Sequence, residues 1–420
     1  MSQGVDERHP VPPAPAQEVP SPWSSWADTA CRTVEGAGQW RRPRTFDASG
    51  PAGRLDPGVG GPADAGPEVV SFASNDYLGL ASHPGVVAAA HRALDRWGSG
   101  SGASRLVTGS RPVHAELEQE LASWRGAERA VVLPTGFAAN LSVLSVFGSA
   151  DAHVFSDELN HASIIDGCRM ARADVTVYPH RDLGRLDREL GSASGRPIIV
   201  SDTVFSMDGD EADLAGLVGI AARRRALLVL DEAHAVLGPE LPGPNRRSGA
   251  DILRVGTLSK SLGALGGFVA GPERFVDLLV NRARPYIFST APTPADAAAA
   301  LAALGIVRSE EGSVLRSRLA AHVARLGSLL GRPGHPSPII PVIVGEEAAA
   351  VSASAALLDR GLWVPAIRPP TVAAGTSRLR VTLSAIHTDA QVDGLAGGLV
   401  ELGLGPGRTG ADRARDGRAP

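Results

Sequence analysis

Short, wholly apolar runs alternate with helix-like segments through the middle of this chain. Examples are the runs at residues 130–133, 198–200 and 226–230. A strand with one solvated face alternates in polarity, so uninterrupted apolar runs are typical of strands buried on both faces, as in a parallel sheet covered by helices. Beyond about residue 306 the regular alternation is lost. The pattern predicts an α/β fold with a smaller C-terminal α+β domain.

Composition divides the chain into four segments. Residues 1–66 are rich in Pro and Gly and are predicted to be a disordered N-terminal lead and arm. Residues 405–420, rich in Gly and Arg, are predicted to be a disordered tail. Between them, the large domain is predicted over residues 67–305 and the small domain over residues 306–404.

Charge, cysteine content and hydropathy narrow the possible partners. The formal net charge is −4, so composition offers no case for a nucleic-acid partner. The two cysteines, Cys31 and Cys168, form no metal or redox spacing, and we expect no bound metal. The N-terminus has no apolar core of the signal-peptide type, and no segment of the chain reaches the length of a membrane span. We therefore expect a cytoplasmic protein with no membrane partner.

A helix is predicted to begin at Pro84 and to end at Gly98. Its apolar residues follow helical spacing and predict one buried face. The residues of that face are Val86, Val87, Ala90, Leu94 and Trp97.

The chain contains one lysine, Lys260, among 41 basic residues. Arginine serves for surface charge and ion pairs, but it keeps its proton near neutral pH and cannot act as an amine nucleophile or a base. Lysine can do both, through a Schiff base with a carbonyl compound. Small residues surround Lys260 after a predicted strand at residues 252–255, which suits a loop that a ligand approaches closely. Lys260 is therefore predicted to be catalytic.

Polar residues follow several of the predicted buried strands. Asp231 comes directly after the run 226–230, with His234 three residues later, and His161 follows the predicted strand at 153–155. Open α/β sheets bind ligands at the carboxyl ends of their strands. A buried Asp suits a buried cation, and enzymes that use pyridoxal 5'-phosphate (PLP) hold the pyridine nitrogen with an Asp. Asp231, Lys260 and a histidine therefore predict a PLP site.

A turn from strand to helix at Gly136 and Phe137 could hold the cofactor phosphate. Free N–H groups at a helix start bind anions, and glycine allows a close approach. Many α/β turns look like this one, and Phe137 fits a core position equally well.

The octet LLVLDEAH also looks like the Walker-B strand of a DEAH-box NTPase. That class needs a P-loop lysine upstream, in the pattern G-x-x-x-x-G-K-[ST]. No lysine precedes Lys260, and we set the NTPase interpretation aside.

Seven stretches, in order along the chain, resemble the α-oxoamine synthases, which are PLP enzymes of aminotransferase fold type I. They are FASNDYLGL, SRLVTGS, GFAAN, LNHASI, VFSMDGD, LVLDEAH and GTLSKSLG, and the resemblance extends from about residue 67 to 403. It implies the PLP-dependent transferase fold type I, with a mostly parallel seven-stranded sheet in the large domain. It also implies a homodimer with its sites at the interface.

The resemblance implies a role for each residue of the site. Lys260 would hold PLP covalently, Asp231 would keep the pyridine nitrogen protonated and His234 would bond the ring oxygen. His161 would stack on the ring and is predicted to be catalytic together with Lys260 and Asp231. The remaining cofactor contacts within the same subunit would come from Gly136, Phe137, Ser206 and Thr257. Thr290 of the partner subunit would add one more. The substrate contacts would be Arg368, which matches the arginine for the amino-acid carboxylate, and Thr371, Asn75 and Arg41.

The implied reaction is a decarboxylative condensation of an amino acid with an acyl thioester. The subgroup that this chain resembles most uses L-alanine and a pimeloyl thioester of CoA or of a carrier protein. Members that use glycine or serine, an aminotransferase and a non-catalytic protein of the same fold remain alternatives. Two departures bear on this choice: the stretch after His234 is about two residues shorter than in relatives, and Asp202 stands where many relatives have Glu.

Overall fold

The computed structural model describes residues 21–56, 66–241 and 249–406, and within them the backbone forms fourteen strands. The strands are β1 (Phe46–Asp47), β2 (Ala52–Leu55), β3 (Glu68–Ser71), β4 (Arg129–Leu133), β5 (Ala152–Asp157), β6 (Asp174–Tyr178), β7 (Arg196–Asp202), β8 (Leu227–Asp231), β9 (Asp251–Thr257), β10 (Gly267–Gly271), β11 (Ile339–Gly345), β12 (Leu362–Trp363), β13 (Ala366–Ile367) and β14 (Ser377–Thr382).

The same residues form thirteen α-helices. The helices are α1 (Pro22–Gly36), α2 (Pro84–Trp97), α3 (Pro112–Arg125), α4 (Gly136–Phe147), α5 (Ala162–Met170), α6 (Leu183–Ser192), α7 (Leu214–Arg224), α8 (Glu273–Arg282), α9 (Arg284–Ile287), α10 (Pro294–Val307), α11 (Glu310–Leu329), α12 (Glu347–Leu358) and α13 (Asp389–Glu401).

A seven-stranded sheet carries the elements that form the candidate site. Its strand order is β4-β10-β9-β8-β7-β5-β6. The pairs among β9, β8, β7, β5 and β6 are all parallel, whereas β10 is antiparallel to both β4 and β9. This sheet confirms the predicted α/β fold with a mostly parallel seven-stranded sheet.

The apolar runs of the sequence are strands buried on both faces. In β7, Ile198 and Val200 belong to the core on one side of the sheet, and Ile199 belongs to the core on the other side. In β8, Val229 lies on the first side and Leu228 on the second. Successive side chains of a strand point to opposite faces, so a strand between two cores must be apolar at every position.

A second, antiparallel sheet lies near the C-terminus, in the order β11-β14-β13. Helix α12 contacts all the strands of this sheet, and α11 packs against α13. These elements match the smaller α+β part that the sequence predicts. The division of residues 67–404 at position 305, which falls inside α10, stays a prediction.

Helix α2 confirms part of the predicted buried face. Val86 is buried, and Ala90 and Trp97 are partly buried against the main core. The prediction placed Val87 and Leu94 inward, but they are 39% and 38% exposed. The buried residues are Val86, Ala89 and Ala93. Helix α2 packs against α10, whose inner face is also largely alanine. Small side chains on both helices allow their backbones to approach closely, and this contact outweighs the burial of the larger residues.

The described residues form two compact units. The first contains residues 21–46, 55–56 and 66, and the second contains residues 47–54, 67–241 and 249–406. In the first unit, α1 begins after Ser21, whose hydroxyl accepts from the Ser24 N–H. Residues 1–20 and 57–65 of the predicted N-terminal lead, and residues 407–420 of the predicted tail, lie outside the described residues. Over the described ranges, no helix combines the length and the hydropathy that a membrane span requires.

Candidate active site

Neighbouring strands of the large sheet end in polar residues at one edge. Asp202 ends β7 and Asp231 ends β8, and the two residues face each other in the parallel register. His161 lies just beyond β5, and Lys260 lies three residues beyond the end of β9. This is the edge at which open α/β sheets place ligands.

These side chains surround a cavity of about 240 Å³. The lining residues are Thr135, Gly136, Phe137, Asn140, His161, Ser163, Asp202, Asp231, Ala233, His234, Thr257, Ser259 and Lys260. The cavity therefore collects one primary amine, two carboxyl groups and two imidazoles beside the start of α4.

Lys260 is held beside a neutral imidazole. Its Nζ lies 2.9 Å from Nε2 of His234, and Nδ1 of His234 lies 2.5 Å from the hydroxyl of Tyr77. The Tyr77 hydroxyl donates to Oδ1 of Asn75 over 3.2 Å, so its oxygen is free to accept from Nδ1–H of His234. In that arrangement Nε2 of His234 carries no proton and accepts from Lys260.

The pKa shifts of the two groups favour their uncharged forms. Burial lowers the pKa of Lys260, and the carboxyl groups of Asp231 and Asp202 offset part of this effect. Burial, followed by the nearby Lys260 and Arg380, holds the pKa of His234 well below its ordinary value. Desolvation disfavours the cation in both side chains. The geometry therefore presents a lysine amine that can take up a proton.

Two buried carboxyl groups lie on neighbouring strands. Oδ1 of Asp231 accepts from the Ala233 N–H over 2.9 Å, and its Oδ2 accepts from Nδ2 of Asn140 over 2.6 Å. Oδ2 of Asp202 accepts from the His161 N–H over 3.1 Å. Burial, and then the charge of Asp231, raise the pKa of Asp202 well above its ordinary value. Of the two, Asp231 is the one placed to carry the negative charge.

The start of α4 forms an anion cradle. The Ala138 N–H donates to the Thr135 hydroxyl over 3.0 Å, whereas the N–H groups of Gly136 and Phe137 have no acceptor within the described part of the chain. A Cβ at Gly136 would lie 3.1 Å from Cβ of Thr257, so glycine leaves room between this turn and the Thr257 strand end. Free amides at a helix N-terminus favour a phosphate.

The residues present fit pyridoxal phosphate. The cofactor requires an amine for its aldehyde, a carboxylate for its pyridine nitrogen, a flat group against its ring and a cradle for its phosphate. The cavity contains Lys260, Asp231, His161 and the first turn of α4 in these places.

A larger cavity of about 550 Å³ lies beside the same strand ends. It is lined by Glu232, which directly follows Asp231 in the chain, together with Arg125 and Arg254. Those charges are already paired, because Glu232 lies 2.6 Å from Arg254 and 3.2 Å from Arg125. The smaller cavity, which contains the amine of Lys260, is the better candidate for catalysis.

Residues 67–399 match the family model described as aminotransferase class I and II. The chain belongs to this family. A protein of Bordetella petrii named 8-amino-7-oxononanoate synthase is 45% identical over 391 residues, which cover 89% of this chain and 96% of that relative. The resemblance to α-oxoamine synthases is confirmed, and PLP is the cofactor of these enzymes.

Solved structures of the aminotransferase class I and II family agree with the fold. A serine palmitoyltransferase from S. paucimobilis, solved with a bound PLP–myriocin aldimine, gives a TM-score of 0.82 at 28% identity and covers 92% of this chain and 100% of that chain. The 8-amino-7-oxononanoate synthase from Francisella tularensis gives a TM-score of 0.67 at 26% identity, covering 83% and 99%. Both likenesses support the predicted fold type I.

The structure places the predicted site residues in three groups. The first group lines the cavity and contains Gly136, Phe137, His161, Asp231, His234, Thr257 and Lys260. The second group, Asn75 and Ser206, lies behind the residues that line the cavity. Asn75 contacts Tyr77 and Arg380, and the carbonyl oxygen of Ser206 accepts from Arg380. The third group, Thr290, Arg368 and Thr371, is not among the cavity-lining residues, and Arg41 belongs to the first unit. The roles of all these residues stay predictions.

Four residues beside the cavity were not predicted as site residues. Arg380 is buried, and its Nε donates to the carbonyl oxygen of Ser206 over 2.6 Å, while both Nη atoms lie 3.3 Å from Oδ1 of Asn75. The others are Tyr77, Asn140 and Ser163. Tyr77, Asn140 and Ser163 lie in the stretches FASNDYLGL, GFAAN and LNHASI, and this resemblance is the signal in the sequence that could have pointed to them. Arg380 lies in none of the seven stretches.

The shortened stretch after His234 keeps its local hydrogen bonds. Ala235 N–H donates to the carbonyl oxygen of Glu232, and Val236 N–H donates to that of His234. The side chains of Val236 and Leu237 pack against the main apolar core. His234 therefore stays buried beside Lys260 despite the shorter loop.

Proposed function

We propose that this chain catalyses the decarboxylative condensation of L-alanine with a pimeloyl thioester. A C–C bond forms between Cα of alanine and the thioester carbonyl carbon, the thiol leaves, and the alanine carboxylate departs as CO2. The product is 8-amino-7-oxononanoate. The observation that carries this proposal is the 45% identity, over 89% of the chain, to a relative of that name. The serine palmitoyltransferase superposes better but is only 28% identical.

Bound PLP supplies an electron sink for the charge that forms at Cα when the proton leaves. The protein supplies the groups that move and hold protons. Lys260 takes the Cα proton, and the burial that lowers its pKa favours the uncharged amine that can accept one. Asp231, anchored by Asn140 and the Ala233 amide, keeps a proton on the ring nitrogen. His234 accepts a hydrogen bond from Lys260 and so orients it.

Two arginines compete for the role of the carboxylate anchor. Arg368 is assigned to this role by the resemblance alone. Arg380 is buried, lowers the pKa of both His234 and Lys260, and makes no ion pair within the described ranges. A buried guanidinium without a carboxylate partner is costly unless a ligand supplies one. We therefore extend the proposal to Arg380 as the anchor for the alanine carboxylate, with Arg368 near the acyl substrate.

The wider assembly is also part of this proposal. We infer a homodimer in which Thr290 of the partner subunit completes the phosphate site. In support, the apolar side chains of Val107 and Phe288 are 74% and 69% exposed. Both lie near Thr290 in the structure, because Ser104 forms a β-bridge with Thr290. The acyl carrier, either CoA or a carrier protein, and a cytoplasmic location are inferred from the chemistry of the reaction. Arg41 and Thr371 are proposed to contact the substrate.

The test combines a product assay with mapping of the cofactor. Purified protein loaded with PLP is incubated with pimeloyl-CoA and either L-alanine, glycine or L-serine, and the products are identified by mass spectrometry. We expect 8-amino-7-oxononanoate from L-alanine, at least about tenfold faster than any product from the other two amino acids. Borohydride reduction followed by peptide mapping should place the cofactor on Lys260.

Two results would contradict the proposal. Preferred turnover of glycine or L-serine would assign the chain to the members that use that amino acid. A reduced cofactor on any other residue would overturn the site itself. The Lys260→Ala variant is the control, and it should bind PLP without a covalent adduct.

A further inference from the structure

A chain of hydrogen bonds runs from Asp231 to His161 through the side chains of Asn140 and Ser163. Nδ2 of Asn140 lies 2.6 Å from Oδ2 of Asp231 and 2.9 Å from Oγ of Ser163. Oγ of Ser163 lies 2.7 Å from Nδ1 of His161. Asn140 and Ser163 are almost completely buried, with 1% and 0% of their surface exposed. Water therefore does not compete for these bonds.

The groups at the two ends of this series of hydrogen bonds determine which atom donates in each bond. A carboxylate only accepts, so the amide of Asn140 must turn its NH2 group toward Asp231. The second proton of that group points to Ser163, so Oγ of Ser163 accepts there. Oδ1 of Asn140 has no partner in the described part of the chain, and the two donated bonds alone orient the amide. The hydroxyl proton of Ser163 is left for Nδ1 of His161.

The backbone adds a second, immovable donor at the same imidazole nitrogen. The Ser163 N–H points to Nδ1 of His161 over 3.2 Å, with His161 as the N-cap residue of α5. A backbone amide cannot reverse its bond, so a proton on Nδ1 would face the N–H and the O–H of Ser163 together. The N-terminus of a helix also disfavours a cation.

We propose that Ser163, held by Asn140, is a positioning residue that keeps His161 as the neutral imidazole with its single proton on Nε2. The inference rests on the proposed function for the ring that His161 faces. A protonated pyridine ring repels an imidazolium but tolerates a neutral imidazole against its face. Asp231 thus bonds to the ring nitrogen directly. Through Asn140 and Ser163 it also determines the charge of His161, which faces the ring.

The charged groups around His161 do not by themselves determine the protonation state of its imidazole. Burial, the largest influence, lowers the pKa of His161, while the charge of Asp231 raises it and that of Lys260 lowers it. Asp202 accepts a bond from the backbone N–H of His161 rather than from its ring. His234 is also close and is itself neutral. Because these influences partly cancel, the two donors on Nδ1 are expected to decide the protonation state.

The experiment measures the pKa of His161 directly, by mass-spectrometric hydrogen–deuterium exchange at the imidazole C2 position. Cleavage after Glu158 and Arg169 gives a peptide in which His161 is the only histidine. The full-length protein is titrated with and without PLP as wild type and as Ser163→Ala. The matched control is Ser142→Ala, because Ser142 is equally buried and its hydroxyl bonds only to the carbonyl oxygen of Ala138.

We expect Ser163→Ala to raise the pKa of His161 by about 0.7, the equivalent of one neutral hydrogen bond. Ser142→Ala should leave it unchanged, and the pKa of His153, read from a neighbouring peptide, should stay constant in both variants. An unchanged His161 pKa in Ser163→Ala overturns the proposal. An equal rise in both variants also overturns it, since general loosening of the fold would then be the cause.

A second measurement is made on the wild-type protein and needs a variant only to assign the signal. In wild-type protein labelled with ¹⁵N-histidine and free of PLP, Nδ1 of His161 should give the resonance of an unprotonated nitrogen at pH 7, with the signal assigned by its loss in His161→Asn. A protonated Nδ1 would refute the proposal. Since no PLP is present, this outcome is separate from any failure of the proposed function.

Discussion

The hydroxyl of Tyr77 lies 2.5 Å from Nδ1 of His234, although the two residues are 157 positions apart in the chain. Both side chains are buried. The imidazole of His234 therefore has Tyr77 on one side and Lys260 on the other. Because the imidazole is held at both nitrogens, the amine of Lys260 is held in one place.

Replacing Tyr77 with Phe should impair both stability and catalysis. The change leaves Nδ1–H of His234 without its acceptor, which costs about 1–3 kcal/mol of unfolding free energy. We expect kcat to fall about tenfold as Lys260 loses its fixed orientation. Urea unfolding and steady-state kinetics check the two effects.

Tyr178→Phe is the control for the Tyr77 variant. Tyr178 is as buried as Tyr77, but its hydroxyl interacts with Ser201 rather than with the cavity residues. It should lose stability and keep its kcat. A Tyr77→Phe variant with wild-type kcat would show that His234 does not depend on the phenol.

Replacing Arg380 with Lys should weaken the binding of the amino acid. A charge-assisted hydrogen bond contributes about 1.5–3 kcal/mol, so we expect KM for L-alanine to rise about 10- to 100-fold. Lysine keeps the charge but loses the planar fork that matches a carboxylate. Arg368→Lys is the companion variant and should affect KM for pimeloyl-CoA instead. The reverse pattern would return the carboxylate role to Arg368.

Gly263→Ala should displace the loop that carries Lys260. Gly263 has φ of +59°, and a Cβ there would lie 2.3 Å from the backbone nitrogen of Ala81, which cannot move away cheaply. Gly126 has the same φ of +59° and nothing within 4 Å of its Cβ position. Gly126→Ala should therefore cost only the left-handed backbone strain, about 1–2 kcal/mol.

The contact at Gly263 should add to that strain. Thermal unfolding and PLP affinity measure the difference, and we expect weaker PLP binding only in Gly263→Ala. Equal effects in the two variants would mean that the contact with Ala81 relaxes without cost.

Stability should depend on pH through His180. Its ring nitrogens lie 3.0 Å from Asp157 and 2.8 Å from Asp210, and these two carboxylates outweigh partial burial and raise the pKa of His180 to about 9. A histidine whose pKa is raised in the folded state contributes stability below its unfolded pKa of about 6.5, and the contribution is lost as the pH rises through 9.

The measurement is the unfolding free energy of wild type and His180→Gln at pH 6.5 and pH 9.5. The advantage of wild type at the lower pH should shrink by about 2 kcal/mol at the higher pH, less than the full linkage value because the side chain is partly exposed. A constant difference between the two proteins would mean that His180 is not charged in the folded state.

The strand predictions from the sequence were accurate because each strand is signalled locally. The run at 198–200 is apolar throughout, since Ile199 and its neighbours face two separate cores, and it lies inside β7. The same reasoning placed Asp231 at the end of β8. The prediction was wrong at Val87 and Leu94 of α2, because the burial of Ala89 instead of Leu94 depends on the alanine-rich face of α10.

The sequence by itself determined the chemical parts of the site. One lysine among 41 basic residues, a carboxylate at a buried strand end and a nearby histidine already predicted a PLP site, and the resemblance to the family added the reaction. Only the tertiary structure decided how these parts act on one another. The contacts of Tyr77 with His234, of Asn140 with Asp231 and of Arg380 with Asn75 join residues 91 to 305 positions apart. Such contacts are set by packing between elements, and no local pattern in the chain carries them.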